Sequence, residues 1–130
     1  MQGSMIYLYI AVGGASGACM RYFLSQLIFQ WFGKGFPFGT LVVNVIGSFS
    51  LGLLYSLIEQ GQMEAVMWRT TIGIGFLGAF TTFSTFSVDT LYLLQQGFWL
   101  KGILNMFLNM LGCLLAAWLG TIFVTFFVKG

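Results

Sequence analysis

Several stretches of the chain set polar side chains into otherwise apolar surroundings, and their types suit non-covalent ion chemistry rather than catalysis. Gly73, Gly75 and Gly78 precede Thr81-Thr82-Phe83-Ser84-Thr85-Phe86-Ser87, which holds five hydroxyls in seven residues. Such a run has poor propensity for an uninterrupted helix, and in a membrane hydroxyls can replace backbone partners where a helix opens. The expectation is a break over residues 78–81, leaving carbonyls free to hold a cation, as discontinuous spans do. Glycine-rich packing without a break is the other reading. Asn44 and Ser48 lie four apart, as do Asn105 and Asn109, whose stripe continues through Gly112, Ala116 and Gly120. A carboxamide among apolar residues is costly unless it meets protein or water. Asn44 therefore either joins two helices or offers its amide to an ion, and the Asn105–Asn109 stripe either lines a polar path or forms a packed seam. Phe83 and Phe86 stand three apart, and the edge of a phenyl ring is electropositive. Ring edges combined with amide and hydroxyl donors would admit a small anion and still release it. Because Phe makes up 15 of 130 residues, core or lipid packing is the competing reading.

These groups must be positioned by an unusually apolar chain. Of its residues 58% are hydrophobic and only 6% charged (Lys+Arg 5, Asp+Glu 3), against about a quarter charged in soluble domains. With no histidine, a histidine-ligated haem, a zinc–histidine site and a His-based triad are excluded. Cys19 and Cys113 are isolated, so no disulfide framework or CxxC pair is suggested. A net charge of +2 spread along the chain forms no patch for nucleic acid. The pattern is that of an all-α integral membrane protein forming one unit over residues 1–130, with spans near 5–32, 38–58, 66–94 and 99–128. Each exceeds the roughly 20 residues that a bilayer core requires. The third span is the one expected to break. No basic residue precedes the first run, which reads as mature protein rather than a cleaved signal.

Lys and Arg distribution sets orientation. Arg69 and Lys129 fall on one side and Lys34 and Lys101 on the other, a tie if Arg21 lies within its span. A tied chain can insert both ways and pair antiparallel; if Arg21 sits near an interface, it alone decides. Arg21 can snorkel to that interface, pair with a carbonyl, or face an anion vestibule. Asp89 reads as an interfacial cap or turn partner, and Glu59, Glu64 and Lys34 as loop residues.

Residues 13–22 (Gly-Gly-Ala-Ser-Gly-Ala-Cys-Met-Arg-Tyr), 39–49 (Gly-Thr-Leu-Val-Val-Asn-Val-Ile-Gly-Ser-Phe) and 75–87 (Gly-Phe-Leu-Gly-Ala-Phe-Thr-Thr-Phe-Ser-Thr-Phe-Ser) resemble the signature blocks of the Fluc family of bacterial fluoride channels, also called CrcB proteins. The likeness covers essentially the whole chain in order and spacing, and Cys113 stands where the resemblance implies a serine in some members. The resemblance implies a passive, selective fluoride channel in the bacterial inner membrane, not an enzyme, that lowers cytoplasmic fluoride. It implies an antiparallel, dual-topology homodimer with two pores, each drawing on both chains. By the same resemblance Asn44 is a pore donor, the ring edges of Phe83 and Phe86 face fluoride, Thr82 and Ser84 neighbour the path, and Asn109 completes the wall. Arg21 is a vestibule or anchoring residue. The backbone carbonyls of Gly78 and Thr81 would hold a structural, non-transported sodium ion. A set of four such carbonyls, two from each chain, suits a hard monovalent cation. Two other classes stay in view: a small four-helix proton-coupled multidrug exporter, for which Asp89 is the only intramembrane acid available, and a structural subunit of a membrane complex.

Overall fold

The structure is a computed structural model that describes residues 3–129; residues 1, 2 and 130 and the side chains of Val128 and Lys129, the latter counted in the charge tie, lie outside the described residues. All its regular elements among the described residues are helical. They are α1 (Gly3–Phe32), α2 (Phe38–Glu59), α3 (Ala65–Trp68), a π-helical stretch (Arg69–Leu77), α4 (Gly78–Phe80), α5 (Phe83–Gln95), α6 (Trp99–Val124) and a closing π-helical turn (Thr125–Lys129). Four spans are long and apolar enough to cross a membrane: Gly3–Phe32, Phe38–Glu59, Ala65–Gln95 and Trp99–Phe127.

Glycines in the left-handed region stop three of these helices. Gly61 has φ 75° and Gly97 φ 86°. After α2, Gly61 N–H donates to Ile58 O at 3.0 Å and Gln62 N–H to Leu57 O at 3.0 Å; after α5, Gly97 and Phe98 donate to Leu94 and Leu93 in the same pattern. This paired closure satisfies carbonyls that the helix end leaves orphaned. Gly33 ends α1 at φ 78°, with its N–H on Phe29 O at 2.8 Å. The cations near the links rest on aromatic rings: Lys34 on Phe29, Arg69 on Tyr55 and Lys101 on Phe98. An ammonium or guanidinium over a ring face is favourable. Lys101 Nζ also approaches Gly35, which places the first and third links at one end of the bundle.

Small residues let the helices touch along their backbones. A β-carbon on Gly13 would fall on Thr71 O, and one on Gly17 on Phe76 O, so α1 lies directly against the π-helical stretch. Between α2 and α6 the same closeness is mutual, Gly52 lying on Ala117 O and Gly120 on Phe49 O. Without a hydrophobic driving force between helices in lipid, this backbone approach is a main source of association. Apolar residues such as Phe23, Leu100 and Leu114 cover the outside, while Thr40, Asn44, Thr90, Asn105 and Asn109 are buried.

The third span is interrupted at the C-terminal edge of the stretch that the composition pointed to. Gly78 keeps helical dihedrals (φ −61°, ψ −39°). The extended residues are Thr81 (φ −87°, ψ 158°) and Thr82 (φ −149°, ψ 118°). Of the expected break over 78–81, Gly78–Phe80 stay helical and Thr81 opens, so the break is narrowed and extended to 81–82. The physical reason is that the residues which satisfy an opened backbone, described next, face Thr82 and not Gly78.

Candidate functional site

Asn44 on α2 occupies the gap. Its Oδ1 accepts the Thr82 N–H at 2.8 Å, and its Nδ2 donates to Thr82 O at 3.1 Å. The Oδ1 thus replaces the acceptor that the Thr82 N–H loses by leaving the helix, and the Nδ2 adds a donor to the carbonyl that opens α5, which removes the desolvation penalty of an open backbone. Gly47, one turn further along α2, lets the helix come this near, since a β-carbon there would fall on Thr81 Cγ2. Thr82 then starts α5: its Oγ1 accepts the Thr85 N–H at 3.1 Å, an N-cap bond. That hydroxyl also bonds Thr85 Oγ1 at 3.1 Å and lies 3.3 Å from Ser84 Oγ.

From Asn44 a chain of buried hydrogen bonds crosses to α6 and returns to α5. Asn44 Nδ2 donates to Asn109 Oδ1 at 2.9 Å. Asn109 Nδ2 donates to Asn105 Oδ1 and to Asn105 O, each at 3.0 Å. Asn105 Nδ2 donates to Thr90 Oγ1 at 2.9 Å, and Thr90 Oγ1 to Phe86 O at 2.8 Å. Both N–H groups of Asn44 are therefore engaged within the protomer. A donor offered to an anion would be one of these, exchanged rather than vacant.

Beside the break lies a recess of about 240 Å³ lined by Asn44, Ser48, Thr81, Thr82, Phe83, Phe86, Asn109, Met110 and Cys113, all of them uncharged. It gathers five of the six residues expected at a pore: Asn44, Thr82, Phe83, Phe86 and Asn109. Ser84 is exposed on α5 and outside the lining. The rings of Phe83 and Phe86 have centroids 5.5 Å apart and planes inclined at 54°. Their surroundings differ, Phe83 being 77% exposed and Phe86 only 7%. Arg21 lies away from the recess, with Nε donating to Ala79 O at 3.1 Å, so of its three sequence readings the structure has it pairing with a carbonyl. A second recess of about 570 Å³ at the end that carries Lys34 contains Asp89, whose carboxylate accepts the Thr40 hydroxyl at 2.9 Å.

Gly78 and Thr81 come together only as the two sides of the last turn before the break. The Thr82 N–H, whose α-helical acceptor would be Gly78 O, goes instead to Asn44, so the Gly78 carbonyl lacks that helical partner. Sequence reasoning assigned no role to Thr90, and none to Asn105 beyond a polar stripe. Spacing on α6 pointed to Asn105; nothing in the sequence pointed to Thr90 as its partner.

Residues 8–121, a range containing the break and every residue of the smaller recess, match the family described as CrcB-like protein, Camphor Resistance (CrcB). The chain belongs to the CrcB family. It is 57% identical over 118 residues to the fluoride-specific ion channel FluC of Alteromonas mediterranea, covering 91% of this chain and 93% of that relative. It is 56% identical over 113 residues to the FluC of Shewanella amazonensis, covering 87% and 90%. With the FluC of Vibrio campbellii the identity is 54% over 112 residues, covering 86% and 88%. In this CrcB-family chain the matched range also takes in Arg21, Gly78 and the glycines Gly52 and Gly120 of the α2–α6 seam.

Proposed function

We propose that the protein is a multi-pass, passive fluoride channel of the bacterial inner membrane, not an enzyme. The observation that carries this reading is the uncharged recess at the break, where amide, hydroxyl and phenyl groups converge. An anion stripped of water there meets partial positive charges rather than a fixed countercharge, so it can enter and also leave. The relatives named as fluoride-specific channels supply the identity of the ion. A membrane potential acts on such an ion with about 2.3 kcal/mol per 100 mV. No residue is required to change protonation, which separates this reading from a proton-coupled exporter.

The working unit is an antiparallel homodimer of dual-topology subunits. Phe83, Ser84 and Ser87 are exposed together on α5, and Gly78 is exposed before the break. Hydroxyls and bare backbone turned toward hydrocarbon are unfavourable, and a second copy would cover them and complete the wall of each pore. The tied Lys and Arg count supports insertion in both orientations. Where two breaks meet across a twofold axis, the carbonyls of Gly78 and Thr81 from both copies form an all-oxygen set that suits a structural sodium ion. Asn44, Thr82, Phe83, Phe86, Ser84 and Asn109 form or border the path.

Fluoride efflux from liposomes containing the purified protein, followed with a fluoride electrode while chloride is measured in parallel, tests the proposal. Fluoride leaves at a rate proportional to protein content and chloride stays behind; release of neither ion, or of both equally, overturns the reading.

A further inference from the structure

Asn105 is wholly buried, at 0% exposure, and does not line the recess beside the break. It nonetheless determines what the recess presents. Thr90 gives its only hydroxyl proton to Phe86 O at 2.8 Å, a backbone carbonyl that cannot turn, so toward Asn105 it can only accept. Asn105 must therefore direct Nδ2 to Thr90 and Oδ1 to Asn109. Asn109 in turn must direct Nδ2 to Asn105, which leaves its Oδ1 for Asn44. Asn44 must then direct Nδ2 toward Asn109 and Thr82 O, and Oδ1 toward the Thr82 N–H. Backbone groups that cannot turn bound the series at both ends: the Thr82 N–H and O orient Asn44 from one side, and Phe86 O through Thr90 and Asn105, together with Asn105 O, orients Asn109 from the other. Such a connected set is rigid only when every member is present.

We propose that Asn105 is a positioning residue for anion passage: its side chain, anchored by Thr90, holds the Asn109 carboxamide so that Oδ1 faces the Asn44 donor that Thr82 orients. This rests on the channel reading above. An entering anion takes the place of Asn109 Oδ1 as acceptor of an Asn44 N–H, and when it leaves, Asn109 is already oriented to take that donor back. With the Asn105 side chain removed, Asn109 Nδ2 keeps only the backbone O of residue 105, so the acceptor that takes the Asn44 donor back is held less firmly at the recess. The recess itself loses no group, since neither Asn105 nor Thr90 lines it.

Asn105→Leu and Thr90→Val keep size while removing the two links, and fluoride efflux is measured for wild type, both single variants and the double variant, with dimer content checked by gel filtration. The expected result is a loss of at least about tenfold for N105L, comparable in kind to displacing an oriented donor. T90V loses about threefold or more, and the double variant stays within about twofold of N105L alone, because the links act in series. Flux within about twofold of wild type for either single variant, or losses that multiply in the double, overturns the proposal. If N105L fails to assemble, T90V decides: slowed flux at normal dimer content upholds it and wild-type flux overturns it. A wild-type protein that passes no fluoride defeats the channel reading instead, and the positioning role falls with it.

Discussion

The guanidinium of Arg21 lies on the carbonyl of Ala79, 58 positions away, at 3.1 Å. Ala79 belongs to the last helical turn before the break, where the first half of the span ends and its carbonyls lose their onward partners. A cation at a helix C-terminus also answers the negative end of the dipole. One side chain from α1 thus closes the end of α4 from behind while Asn44 supports Thr82 from α2.

Replacing Arg21 with Met keeps the aliphatic stem and removes the donor. A charge-assisted hydrogen bond to a part-buried carbonyl contributes about 1.5–3 kcal/mol, so R21M lowers the unfolding midpoint in detergent measurably. Arg21→Lys, which keeps the charge but not the planar donor, falls between them. Thermal unfolding followed by tryptophan fluorescence checks this; an unchanged midpoint for R21M would mean that the contact is not structural.

Asn44→Asp tests the other support. The carboxylate keeps its acceptor toward the Thr82 N–H but loses both donations, to Thr82 O and Asn109 Oδ1, and faces those oxygens with negative charge. The expected outcome is loss of fluoride efflux together with weakening of the fold by about 2–4 kcal/mol, seen as a smaller dimer fraction. A fully stable N44D protein with wild-type flux would remove Asn44 from both roles.

Backbone approach is testable at two neighbouring glycines of α1. A β-carbon on Gly17 falls on Phe76 O, whereas one on Gly14 comes only to 3.9 Å from Gly75 O. Gly17→Ala must separate α1 from the π-helical stretch, at a cost of about 1–3 kcal/mol, while Gly14→Ala is tolerated. Equal midpoints for the two variants would show that this seam can yield.

Helix ends were readable because Gly33, Gly61 and Gly97 each follow a long apolar run, and the left-handed closure they provide depends on residues adjacent in sequence. The interruption of the third span was readable from the hydroxyl run, but its start was set three residues too early. What locates it is Asn44, 38 positions away, and local composition holds no record of which helix will supply the missing partners. The same limit hid the Asn105–Thr90 bond, which joins two spans across a turn. Asn105 and Asn109 were visible as a stripe because they are one helical turn apart. The contrast between Phe83 and Phe86 was invisible, since both are phenylalanines of one helical turn and only packing against other spans distinguishes them.

That contrast makes the phenyl groups separable. Phe86 is buried, so exchange for Ile removes packed volume and costs about 1–3 kcal/mol. Phe83 is 77% exposed in the protomer, so F83I should leave the protomer's own stability nearly untouched. If the rings only fill space, F86I alone would show an effect, and on stability rather than on flux. If their electropositive edges hold a dehydrated anion, both variants conduct fluoride at least about tenfold more slowly, since each removes a contact that stabilises the ion in passage. Phe126, 74% exposed near the end of the fourth span and outside the recess, is the control. F126I removes as large a ring from an equally exposed position and leaves flux within about twofold of wild type. Efflux from liposomes for the three variants, normalised to dimer content from gel filtration, decides between the readings. Slow flux in F83I with unchanged assembly is the most telling result, because a ring that contributes little to the protomer's packing can slow the ion only by being part of its path.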